Sequence, residues 1–68
     1  MKYYVIEIAE GADAIKGFAI YEKPTEKEAV ALFHQKLSTA MKSDLYTSDL
    51  LMVIDEAGKV LKRERYVA

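Results

Sequence analysis

Only one stretch of this chain repeats its apolar residues at helical spacing, and it stands between segments that read as strands. Ala29, Val30, Phe33, Leu37, Ala40 and Met41 recur at i, i+3 and i+4, the pattern of one helix face. Just ahead of them, Pro24-Thr25-Glu26-Lys27-Glu28 has the form of a capping box. Thr25 is placed to accept from the amide three residues on, and Glu28 to reach back to the amide of Thr25. Glu26 and Glu28 sit at the positive end of the helix dipole and Lys42 at the negative end. The spacing predicts one amphipathic helix over 26–42.

The flanking segments follow from that helix. Lys2 to Ala9 is rich in Tyr, Val and Ile and reads as a strand, followed by turn-type residues at Gly11, Ala12 and Asp13. A second strand is expected from Ile15 to Glu22, with Gly17 marking a bulge or a close approach of backbone. After the helix, Ser43 to Ser48 reads as a polar loop carrying Leu45 and Tyr46, and Leu50 to Asp55 as a strand apolar on both faces. Asp55-Glu56-Ala57-Gly58-Lys59 supplies a tight turn, and Val60 to Val67 the returning strand. The expectation is a single α+β domain over residues 1–68, ββαββ, with a four-stranded antiparallel sheet and the helix on one face. The first and third strands are the most apolar and belong in the centre, giving the order 2-1-3-4.

Alternation divides each strand into two sets. Tyr3-Val5-Glu7 and Leu51-Val53-Asp55 each end in an acid, which assigns them to the face away from the helix. Tyr4-Ile6-Ile8 and Leu50-Met52-Ile54 are wholly apolar and are expected, with Phe18 and Ile20, to pack under Val30, Phe33 and Leu37.

Composition then excludes function classes. The 68 residues are 51% hydrophobic with a formal charge of −1, which argues against disorder and against a broad basic field for nucleic acid. With no Cys and one His there is no structural zinc site, thiol nucleophile or disulfide framework. The apolar runs Tyr3 to Ile6 and Leu50 to Ile54 are too short to span a membrane. Glu7 and Glu10 interrupt what would be a signal peptide's apolar region, so a cytoplasmic location is expected. The three glycines are scattered and form no phosphate-cradling loop.

The remaining chemical candidates resolve into structure. His34 is the one residue whose ordinary pKa lies near neutrality, but nothing in the sequence is placed to orient it, and it reads as a boundary histidine with its ring on the sheet rim. Glu26 and Glu28 belong to the helix cap, and Glu10, Asp13, Asp55 and Glu56 to turns, so no carboxylate pair is set up for hydrolysis or a divalent cation. No catalytic residue, cofactor or metal is expected.

A chain this short points instead to association. Domains near this size bury only about 60% of their unfolded surface and normally add a disulfide, a metal or a partner. The first two are missing here, so a homo-oligomer is expected, most simply a two-fold dimer, with another protein partner left open. The patch assigned to the exposed face is Tyr3, Val5, Tyr21, Leu51 and Val53, too apolar to leave in water. Lys59, Lys62, Arg63 and Arg65, with Tyr66 beside them, are the residues that a nucleic-acid contact would use. Charges on a terminal strand also guard a sheet edge against aggregation, and that is the reading taken.

Four stretches together carry a resemblance: Lys2 to Ala9, Ala19-Ile20-Tyr21-Glu22-Lys23, Glu28-Ala29-Val30 with Phe33-His34-Gln35, and Met52 to Gly58. They resemble a family of short uncharacterised proteins of Gram-positive bacteria, often found in phage or prophage-like regions. That resemblance implies an accessory protein and carries no activity with it. The Lys-Tyr-rich opening strand and Thr25-Glu26-Lys27-Glu28-Ala29 are also similar to the N-terminal region of HicB-type antitoxins. That family's Pro-rich, Gly-Cys segment between strand and helix is absent here.

Overall fold

Thr25 begins the helix as its sequence predicts. Its hydroxyl accepts from the Glu28 amide at 3.2 Å and its carbonyl from the Ala29 amide at 3.1 Å. The reciprocal half of the box differs, because the Thr25 hydroxyl also donates to the Glu28 carboxylate at 3.3 Å. Glu28 therefore locks the capping side chain rather than the Thr25 amide.

This computed structural model describes residues 1–11, 16–42 and 46–67. They form β1 (Tyr3–Gly11), β2 (Lys16–Lys23), α1 (Glu26–Lys42), β3 (Tyr46–Asp55) and β4 (Val60–Val67). All strand pairs are antiparallel and the order is β2-β1-β3-β4, as the sequence predicts. The predicted turn residues Ala12 and Asp13, and residues 43–45 of the predicted loop, lie outside the described residues.

β3 starts four residues before its apolar run, because Tyr46 to Asp49 continue the ladder against β1. Polar residues here satisfy the sheet rather than ending it: β1 carries a register shift at Glu10/Gly11, and the Thr47 hydroxyl donates to the Glu10 carbonyl beside it at 3.1 Å. Gly17 is neither a bulge nor a close approach. It pairs regularly with Ala9, and a Cβ there would meet nothing within 4 Å. The second shift falls instead at Val53/Ile54, where Leu61 is the extra residue on β4.

Asp55 builds the β3–β4 turn. One carboxylate oxygen, Oδ1, accepts from the amides of Ala57 and Lys59, each at 2.9 Å, while the Gly58 amide donates to the Asp55 carbonyl. Gly58 takes φ 90°, which a side chain disfavours.

The helix covers the opposite face of the sheet from the one the alternation suggested. Val5, Leu51 and Val53 are 0% exposed and form the core with Ala29 and Phe33, with Tyr3, Tyr21, Leu32, Leu37 and Leu61 packed round them. The five residues assigned to an exposed interface, Tyr3, Val5, Tyr21, Leu51 and Val53, therefore lie beneath α1. Their terminal acids misled the assignment. Asp55 is spent on its own turn, and Glu7 is half-buried on the covered face. No described helix is long and apolar enough to cross a membrane.

Candidate interaction surface

With α1 on one side, the sheet's other side carries the complementary set of every strand. The ladder fixes it row by row. Ile20, Ile6, Met52 and Arg63 face each other across the four strands, and Phe18, Ile8, Leu50 and Arg65 form the next row. Above them run Glu22, Tyr4, Ile54 and Val60. No described element covers this face. Phe18 is 74% and Ile20 70% exposed, while the central Ile6, Ile8, Leu50 and Met52 are half-buried. An antiparallel sheet covered on one side ordinarily turns a polar side to water. Here the open side holds the larger aliphatic side chains, and the covered side includes Ala9, Val5, Val53 and two acids.

The basic residues do not converge on one face. Arg63 and Arg65 border the open apolar field along the β4 edge. Lys62 stands opposite Val53 of the covered face, and Lys59 is in the turn. All four are exposed, and among the described residues neither guanidinium has a partner. His34 is exposed on α1 with its ring edge-on to Phe33, centroids 5.2 Å apart.

One polar cluster was missed by the sequence reading altogether. Asp49 is completely buried on the covered face, diagonal to Glu7 of β1 and directly across from Tyr66 of β4. Neither of its carboxylate oxygens has a hydrogen-bond donor among the described residues. Two ionised carboxylates have no proton to share, so Asp49 and Glu7 satisfy one another only when one of them is protonated. Burial first, and then the Glu7 carboxyl, raise the Asp49 pKa to about 7, against the pull of Lys36. The Lys36 ammonium lies over the Tyr21 ring, 4.8 Å from its centroid. Asp49 stands between the stretch that reads as loop and the apolar run that reads as strand, and the strand register brings it to Glu7. No three His, Cys, Asp or Glu side chains among the described residues are grouped to hold a metal ion.

Comparison with known protein families, with curated proteins and with solved structures finds no match to this chain.

Proposed function

We propose that this chain is a small non-enzymatic interaction module that pairs with a second copy of itself through the open face of its sheet. The observation that carries the reading is the uncovered block of Phe18, Ile20, Ile6, Ile8, Leu50 and Met52. Contiguous apolar surface of this kind marks a binding site on a soluble domain. A second copy is the occupant the dimensions favour. Four strands about 4.8 Å apart, rising about 3.3 Å per residue over their eight to ten residues, offer roughly 500–600 Å² per copy, so a pair buries about 1,000–1,200 Å², the lower end of specific interfaces. Burial would also supply the stability that so thin a core lacks. The resemblance to short prophage-associated proteins suggests an accessory role as the setting for such a module.

Light scattering coupled to size exclusion tests this directly. At tens of micromolar the protein should elute with twice the 7.7 kDa chain mass. Ile20→Lys, at a position exposed in the single chain, should give a folded monomer by circular dichroism. A folded wild-type monomer at that concentration would overturn the reading.

A further inference from the structure

We propose that the two copies stack with their two-fold axis parallel to the strands, so that β4 of each lies over β2 of the other and the arginine edge covers the partner's Phe18 and Ile20. The inference rests on the self-association reading and specifies its geometry.

Stacked sheets with aligned strands keep their directions within about 30°. A two-fold axis between them then lies either along the strands or across them. Across the strands, β4 meets β4 with its rows reversed, and Arg63 stands over the partner's Arg65 while Arg65 stands over the partner's Arg63. The guanidiniums of both copies would crowd one side of a space from which water is being expelled. No acid on that side relieves them, because their open-face neighbours on β3 are Met52 and Leu50. Like charges brought together in an interface select against such a pairing.

With the axis along the strands the rows are preserved and the edges exchange. Arg65 then lies over the partner's Phe18, where a guanidinium gains from the ring face and its stem from apolar contact. Arg63 lies over the partner's Ile20, one row from the partner's Glu22. That acid sits on the β2 edge, where the exposed Lys2 ammonium pairs with it at 3.3 Å. The middle of the face closes on itself, with Ile6 over the partner's Met52 and Ile8 over the partner's Leu50. The two arginines thus occupy one edge of the open face, and Phe18 and Ile20 occupy the other. Edge exchange is what makes that asymmetry self-complementary.

The absence of cysteine makes the test clean. Phe18→Cys and Arg65→Cys are prepared separately, their masses confirmed by scattering, then treated with a short bis-maleimide alone and as an equal mixture. The mixture should give a covalent species of double mass, and neither variant alone should do so. Ile20→Cys with Arg63→Cys, in the adjacent row, repeats the measurement so that no single weakened contact decides it. A dimer in which Arg65→Cys or Phe18→Cys crosslinks alone as well as in the mixture refutes the orientation and leaves self-association standing. A dimer that crosslinks in neither mixture refutes the orientation too. A wild-type monomer refutes both.

Discussion

Replacing Asp49 by Asn should remove a loss of stability that the chain suffers as pH rises towards neutrality. Asp49 is fully buried and its pKa is raised to about 7 from an ordinary 3.8, by desolvation first and by Glu7 second, with Lys36 opposing. The folded chain therefore holds this proton more tightly than the unfolded chain does. Stability from the protonated group is complete below the unfolded pKa and is lost as pH rises through the folded one. Each pH unit inside that window removes about 1.4 kcal/mol, so ionisation costs on the order of a few kcal/mol by neutral pH. That is a large share of the roughly 5–15 kcal/mol that holds a domain together. The cost falls on the packing of α1 against β1 and β3, because Glu7 of β1 and Lys36 of α1 are the groups that act on the carboxyl there. Asn keeps the shape, stays neutral and can donate to the Glu7 carboxylate.

Urea denaturation followed by circular dichroism, at fixed protein concentration from about pH 4 to about pH 8, measures the effect. Near the acid end the two proteins should be about equally stable. Towards pH 8 the Asn variant should be the more stable, with the gap opening between the two pKa values. Carboxylates remote from the Asp49–Glu7 pair are common to both proteins and cancel in the difference. Stability curves that run parallel across the range would show that Asp49 is not held protonated by its surroundings, and the reasoning would fail.

Thr25→Ala should cost about 1 kcal/mol through loss of the cap to the Glu28 amide, read as a lower denaturation midpoint at unchanged slope. Gly58→Ala should cost roughly 1–2 kcal/mol, since φ 90° must be kept for the Asp55 turn, and the same midpoint reads it. Leu51→Ala, in the dry core, should cost about 2–5 kcal/mol, whereas Ile20→Ala should leave the folding of the single chain little changed. Val53→Lys should abolish the cooperative transition in circular dichroism, because it places a charge under α1 rather than at an interface.

Most of the scaffold was legible because local rules agreed with one another. Thr25 and Glu28 announced the helix start, Asp55 and Gly58 the last turn, and the apolar weight of β1 and β3 their central places. The early start of β3 was hidden because Thr47, Ser48 and Asp49 have loop chemistry. Their strand conformation comes from pairing with β1 and β4, which is a tertiary effect. The Asp49–Glu7 pair was hidden for the same reason, since its members are 42 positions apart and meet only through register.

Which face the helix covers is a harder matter, and it decides where the interaction surface lies. Period-two alternation separates Val5 from Ile6 and Val53 from Met52, but when both sets are apolar it does not rank them. The acids at Glu7 and Asp55 looked like markers of a wet face. In the fold one closes a turn and the other lies beneath the helix beside a buried carboxyl. The inward side of α1 offers Ala29, Phe33 and Ala40, with Leu32 and Leu37 beside them, and it closes on Val5, Leu51 and Val53 between Tyr3 and Tyr21. Packing α1 on this face leaves Ile6, Ile8, Leu50, Met52, Phe18 and Ile20 without a covering element among the described residues. On this reading the core of the single chain and the core of the pair are two parts of one design. The covered face seats the helix over Val5, Leu51 and Val53, and the open face holds the apolar area that the proposal gives to a second sheet. Under the proposed edge exchange, Arg63 and Arg65 set how that second sheet lies.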